Sequence, residues 1–290
     1  MLQCVQTVAP AKINIGLQVF PKRADGFHNI ASIFTTVALA DKMTVSISEN
    51  SGCIVECKQM QLPSENTLTK TYKAFCVLTG VSKGVFVQLE KNIPSGGGLG
   101  GGYSDASSFI QALDSLFSTN LTEVDKNSIS DKVGSDVFFF TQALLKGEEK
   151  KHFAAFVSGR GESVIPIPCR DDYSVVLLFP QVSVSTVEAY NLLDNKNALQ
   201  SLENVYNITH PFVEQYKQDV AKWKFRNDFT MPICSRYPEI QQALKAVKAV
   251  GADFADMSGS GSTVFGIFVD KNQAIMAQKK LAKKWCAVLA

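Results

Sequence analysis

Three features of the chain carry residue types that could do chemistry: a glycine run, one lysine set in mid-strand, and one aspartate at the edge of an apolar segment. In the run, six of the seven positions from Gly96 to Gly102 are glycine. Glycine loses more backbone entropy on folding than any other residue, so this many together suit a backbone that another group must approach closely. A slack linker is the competing reading. The flanks weigh against it. "GVFVQLE" at 84–90 predicts a strand, and "YSDASSFIQALDSLF" spaces Ala106, Phe109, Ile110, Leu113, Leu116 and Phe117 as one face of a helix. A strand, a glycine loop and a helix N-terminus form an anion site, because unpaired amides point outward and the helix dipole adds positive potential there. Phosphate is the natural guest.

Two familiar phosphate motifs do not explain the run. Gly96, Gly98 and Gly101 formally satisfy the dinucleotide pattern G-x-G-x-x-G, but a stretch this rich in glycine matches almost any glycine spacing. Pro94 also separates the glycines from the strand, and Asp114 falls inside the predicted helix instead of ending the next strand. Gly97 and Gly102 have the Walker spacing, yet Tyr103 stands where a lysine should reach the phosphates. A nucleotide enzyme using this loop needs its cation from elsewhere.

Lys12 is the candidate. In "AKINIGLQVF" at 11–20, Ile13, Ile15, Leu17 and Val19 alternate with Lys12, Asn14, Gly16 and Gln18, predicting a half-buried strand with Lys12 beside Asn14 on its polar face. A solvated lysine on an exposed sheet face is the alternative. Asp136, in "DKVGSDVFFFTQ" at 131–142, immediately precedes an apolar run, where a carboxylate is costly unless paired or used. A cap or turn role is the alternative there.

The elements that would position these residues are mixed. Strands are predicted at 11–20, 32–39, 43–49, 53–57, 84–90, 174–179 and 263–269. Helices are predicted from 64 or 65 to 78, ended by Gly80, over 237–250 with Ile240, Leu244 and Val247 in register, and over 271–285. Strands and helices do not alternate strictly, so the fold class is α+β and not a doubly wound sheet. At 290 residues the chain is long enough for two domains, and the turn-rich "PIPCRDD" at 166–172 divides them into 1–168 and 169–290.

Composition narrows the partners. Hydrophobic residues make up 46% and charged residues 19%, with a formal net charge of +2, which supplies no field for a polyanion and argues against nucleic acid. The N-terminus has no basic region ahead of its apolar run, and no stretch approaches the roughly 18 apolar residues of a spanning helix. The expected location is cytoplasmic, with no membrane partner. Seven cysteines include no CxxC pair. Cys53 and Cys57 share one face of a predicted strand as free thiols, and with only three histidines no side-chain metal centre is expected.

The chain also resembles a known family, the GHMP-type small-molecule kinases. The resemblance is carried by "PAKINIGLQV" at 10–19, "RADGFHNI" at 23–30, "IPSGGGLGGGYSDAS" at 93–107, "GSDVFFF" at 134–140, "VSVSTVEAY" at 182–190, "NDF" at 227–229 and "MSGSGSTVF" at 257–265. It implies a two-lobed α+β fold with the active site in the cleft between the lobes. It further implies that Lys12 and Asp136 are the catalytic pair, with ATP and Mg²⁺ as cofactors. Pro94, Gly96, Gly97, Gly98, Leu99, Gly100, Gly101, Gly102 and Ser104 would hold the ATP phosphates, and Asn66 in "SENTLTK" would line the adenine pocket. Asn14, Phe27, His28, Ser185 and Thr186 would face the acceptor, and "MSGSGS" would close the cleft.

Phe27 and His28 within "RADGFH" point, by the same resemblance, to the branch whose acceptor is a cytidine diphosphate-linked polyol phosphorylated on its 2-hydroxyl. Taken alone, a lone histidine such as His28 is more often a loop residue with no role in chemistry; next to an aromatic in a "DG" turn it reads as a group facing a pyrimidine edge. A monomer or weak homodimer is expected. Homoserine- or mevalonate-type kinases, and a catalytically silent binding protein of the same fold, are the alternatives. Three positions depart from the pattern: Tyr103, where a small residue is usual, and Ser135 and Phe138, where alanine and proline are common. The segment 191–225 is poorly matched.

Overall fold

The computed structural model describes residues 4–146, 152–194 and 205–290. They form two compact units, each discontinuous in sequence. The first comprises the described residues of Met1–Ala11, Ala38–Pro94 and Gly100–Gly147; the second comprises those of Lys12–Val37, Ser95–Leu99 and Glu148–Ala290. A single cut at 168/169 does not reproduce these units, because Lys12–Val37 and the strands between 154 and 167 group with the C-terminal residues. The cause is the length of two strands, β1 (Cys4–Lys22) and β2 (His28–Ser48), each contributing one half to each unit.

β2 joins what the sequence divides into strands at 32–39 and 43–49. The charged pair Asp41–Lys42 looks like a break, but Asp41 is fully buried and its Oδ1 accepts the backbone N–H groups of Asn92 and Ile93 at 2.6 and 2.8 Å. A carboxylate supplied with that many donors is tolerated inside a strand.

In the first unit, the second half of β2 pairs antiparallel with β4 (Gly84–Glu90), from Lys42 opposite Glu90 to Ser48 opposite Gly84. The strand β3 (Cys53–Cys57) pairs parallel with β4. Helix α1 (Thr67–Thr79) ends at Gly80 in the left-handed conformation, as its sequence predicts, but begins after the predicted 64 or 65, because Asn66 and Thr69 form a capping box there. Helices α2 (Gly101–Phe117), α3 (Glu123–Val133) and α4 (Asp136–Lys146) complete the unit. Val45, Phe75, Val87, Phe109, Leu113, Leu116 and Val137 form its core. Cys53 and Cys57 pack against that core as free thiols, and burial, with Cys76 nearby, pushes the Cys53 thiol up to about 12.

In the second unit, the first half of β2 pairs antiparallel with β5 (Ala154–Gly159), which pairs with β6 (Ser163–Ile167). A separate antiparallel sheet has the order β10 (Cys286–Leu289), β7 (Ser174–Phe179), β9 (Val264–Phe268), β8 (Phe254–Met257). Helices α8 (Pro238–Ala249) and α9 (Lys271–Leu281) pack on that sheet, with Ile240, Ala243, Val247, Ala274 and Ala277 buried. The remaining helices are α5 (Thr186–Asp194), α6 (Val205–Lys217) and α7 (Thr230–Arg236). The terminal helix stops short of the predicted 285, because Cys286–Leu289 turns back to pair with β7, Cys286 opposite Phe179. Among the described residues, no helix is long and apolar enough to cross a membrane.

Candidate active site

Within the second unit, the middle of β1 is buried on both faces from Lys12 to Leu17, so the alternation there does not mark a solvent-facing side. Its polar face is covered and satisfied. Lys12, 4% exposed, donates from Nζ to Asn14 Oδ1 at 2.6 Å and lies 4.5 Å from the centre of the Phe34 ring. Asn14 Nδ2 donates to Ser32 Oγ at 3.2 Å, and Ser32 Oγ donates to Gly16 O at 2.5 Å. A buried ammonium is retained at such cost only where partners or function hold it. The solvated-lysine reading therefore fails.

The glycine loop is tied into the same network. Leu99 O accepts the N–H of Lys12 at 3.0 Å, Gly97 O accepts that of Thr263 at 3.1 Å, and Gly98 O accepts from Ser258 Oγ at 2.9 Å. A Cβ on Gly98 would sit 2.1 Å from Ser258 O, so the two loops approach backbone to backbone. Gly96, Gly98 and Gly100 have φ of 68°, 74° and 72°, a positive value at every second residue. Such alternation is the backbone pattern of an anion nest, in which successive amides turn toward one concave side. The slack-linker reading does not survive these ties.

The "MSGSGS" loop is itself held from behind. Asn227 donates from Nδ2 to Met257 O and Gly259 O, both at 2.7 Å, and Asp256 accepts from Asn227 N, Thr230 Oγ1 and Met257 N at 2.5–2.9 Å. Burial raises the Asp256 carboxyl above its ordinary range despite those donors. Thr186, first residue of α5, places Oγ1 3.3 Å from Ser260 Oγ. Ser183 Oγ lies where a Cβ on Gly96 would come within 2.7 Å, so Ser185 and Thr186 belong to a segment beside both loops.

In the first unit, α2 begins directly out of the glycine run, with Gly100 as its cap. Asn66 is spent on α1: its Oδ1 accepts Leu68 N and Thr69 N at 3.0 and 3.1 Å, and its Nδ2 donates to Pro63 O at 2.9 Å. The starts of α1 and α2 nonetheless adjoin, since a Cβ on Gly102 would lie 3.5 Å from Thr67 Oγ1. Ser104 is buried, and its hydroxyl has no hydrogen-bond partner among the described residues. Pro94 is exposed. Asp136 opens α4, where the helix dipole favours a carboxylate. Burial and the Asp136 charge together raise the Tyr103 phenol.

His28 is buried and Phe27 is 54% exposed. His28 Nδ1 lies 2.7 Å from Phe20 O, so that nitrogen carries the hydrogen, and Nε2 lies 3.5 Å from Asp194 Oδ1. The imidazole stacks on Tyr190 with ring centres 4.8 Å apart, and Arg160 lies over Phe27 at 5.3 Å. Sequence reasoning did not single out Tyr190, Asp194 or Arg160. Tyr190 closes the stretch "VSVSTVEAY", and nothing local to it marks a partner for an imidazole so far away in the chain.

Known families match this arrangement. Residues 66–143 match the GHMP kinases N terminal domain and residues 225–287 the GHMP kinases C terminal domain, which defines the class as small-molecule kinases. A Treponema pallidum protein named 4-diphosphocytidyl-2-C-methyl-D-erythritol kinase is 38% identical, covering 98% of this chain and 97% of its own. A Thermodesulfovibrio yellowstonii protein of the same name is 35% identical over 100% and 97%. The crystal structure of a 4-(cytidine 5'-diphospho)-2C-methyl-D-erythritol kinase superposes with a TM-score of 0.78 at 27% identity, covering 98% of each chain. The chain belongs to the 4-diphosphocytidyl-2-C-methyl-D-erythritol kinase family.

Proposed function

We infer that the protein transfers the γ-phosphoryl group of ATP to the 2-hydroxyl of 4-diphosphocytidyl-2-C-methyl-D-erythritol, releasing ADP. The observation that carries the choice of acceptor is His28, a buried imidazole held by Phe20 O and stacked on Tyr190 next to the exposed ring of Phe27. An imidazole edge and aromatic faces suit a pyrimidine. An acceptor without a nucleobase would have no use for them.

The glycine loop supports the phosphate end of the reading, through its alternating positive φ values and the helix that follows. The orphaned Ser104 hydroxyl in the first turn of α2 fits a site whose remaining partner comes from the ligand. Mg²⁺ would arrive with ATP and neutralise charge on the phosphates. No cluster of three or more acidic, histidine or cysteine side chains is found among the described residues.

Phosphoryl transfer needs positioning and neutralisation more than covalent participation by the protein. Lys12, its Nζ oriented by Asn14 Oδ1, offers a fixed cation that needs no reorganisation. Asp136 takes the proton of the acceptor hydroxyl as general base. Asn14, Ser185 and Thr186 serve the acceptor side, and Asn66 contributes to the nucleotide side through the start of α1. The protein works in the cytoplasm as a monomer or weak homodimer, with neither nucleic acid nor membrane as partner.

An ADP-release assay with the cytidine-linked acceptor, homoserine and mevalonate tests this. Turnover is expected with the first alone. Turnover with homoserine or mevalonate would move the acceptor assignment, and binding of ATP without transfer to any acceptor would leave a silent binding protein.

A further inference from the structure

Behind the start of α2, the first unit buries three charged side chains together. Lys91, the residue after β4, donates from Nζ to Asp41 Oδ2 and, at 2.8 Å, to Asp105 Oδ2 on α2. The three side chains are 9%, 0% and 4% exposed in that order. A Cβ on Gly101, the first residue of α2, would lie 3.3 Å from Lys91 Nζ, so the cluster sits directly under the exit of the glycine loop. One ammonium faces two carboxylates. Asp41 is well supplied, with Asn92 N and Ile93 N on its other oxygen, whereas Asp105 Oδ1 is buried with no partner among the described residues.

The other elements packed on α2 do not correct this imbalance. Lys126 of α3 is taken by Asp114 at 3.0 Å and Gln111 at 2.9 Å farther along α2, and Glu123 of α3 accepts from Gln142 of α4 at 2.6 Å. Lys146 of α4 pairs with Glu123, and Lys70 and Lys73 of α1 are exposed. Asp136 acts on Tyr103. A buried cluster with one excess negative charge and one unsatisfied carboxylate oxygen accepts a proton most readily at that oxygen. Burial pushes the Asp105 carboxyl up to about 7; Lys91 opposes the rise and Asp41 adds to it.

We propose that Asp105 takes up a proton at Oδ1 when ATP binds the glycine loop, so that Lys91, Asp41 and Asp105 act as positioning residues that tune the loop's affinity for phosphate. This rests on the loop being the ATP phosphate site. Neutralising Asp105 leaves Lys91 balanced by one carboxylate, and a polyanion at the N-terminus of α2 then meets less repulsion. By reciprocity the bound anion raises the proton affinity of Asp105 by the same factor. The proton comes from the buffer, and no covalent bond changes.

Titration calorimetry of the intact protein with MgATP, in two buffers of different ionisation enthalpy, reads the proton directly. The wild type is expected to take up a fraction of a proton at pH 7.5 and to lose about fivefold in affinity between pH 6.5 and 8.5. Asp105→Asn should lack that uptake and hold the wild type's low-pH affinity throughout. Asp41→Asn, a second variant in case the first fails to fold, should shift the uptake to lower pH. Equal uptake in Asp105→Asn, or a uniform loss of its affinity with the wild-type pH slope, would overturn the proposal while leaving the ATP site standing. A wild type that binds no ATP would overturn both.

Discussion

The ring of Tyr103 lies against the backbone of Gly134, where a Cβ would meet Tyr103 Cε1 at 2.5 Å. That contact joins the first turn of α2 to the turn between α3 and α4, two residues before Asp136. Tyr103 stands where the family pattern has a small residue, and here its ring braces the turn that presents the proposed base. Gly134→Ala should therefore displace the turn and lower turnover about tenfold, an effect of the size that misplacing a reacting group by a fraction of an ångström produces. Adding Tyr103→Ser removes the clash with the ring but not the strain of a side chain at φ 159°, so it should restore part of the loss. A double variant as slow as Gly134→Ala alone would show that the contact does not position Asp136.

Gly98 and Gly102 sit in one run but face different surroundings. Gly98 has φ of 74°, and a Cβ there would come within 2.1 Å of Ser258 O, whereas Gly102 would make ordinary contact with Thr67 Oγ1 at 3.5 Å. Gly98→Ala is expected to lower the melting temperature by several degrees, consistent with a cost of at least about 1 kcal/mol for a side chain at positive φ, and to raise KM for ATP. Gly102→Ala should be tolerated. Equal melting temperatures for the two variants would contradict the packing of the loop on Ser258.

Tyr190 and His28 form one stacked pair, so removing either should act on the acceptor and not on ATP. Tyr190→Ala is expected to raise KM for the cytidine-linked acceptor about tenfold, the upper end of what an aromatic pair contributes, with KM for ATP unchanged. A parallel rise in both constants would indicate a general loss of structure around α5.

Much of this was readable from residue types. The strand–glycine–helix order, the capping glycine Gly80 and the α+β mixture followed from local periodicity, because each depends on neighbours in sequence. Lys12 stands out in the sequence as a cation in mid-strand, but alternation alone cannot tell a polar face in water from one covered by Ser32, Ser258 and Gly98. That distinction depends on residues up to 244 positions away, as in the approach of Ser258 Oγ to Asn14 Oδ1 at 3.5 Å. The same limit hid Asp41, whose charge looked like a strand break until its backbone partners at Asn92 and Ile93 were in place. It hid the Lys91 cluster too, whose members come from separate stretches of the chain. β10 was missed because four residues after a lysine-rich helix end carry too short a pattern to separate from the helix.

The central claim is tested most directly by Asp136→Asn, an isosteric change that removes the carboxylate of the proposed base. Initial rates with saturating ATP and the cytidine-linked acceptor should fall by at least about 10²-fold, with ATP affinity and melting temperature close to wild type. Turnover within a few-fold of wild type would contradict the assignment of Asp136 as the group that takes the hydroxyl proton.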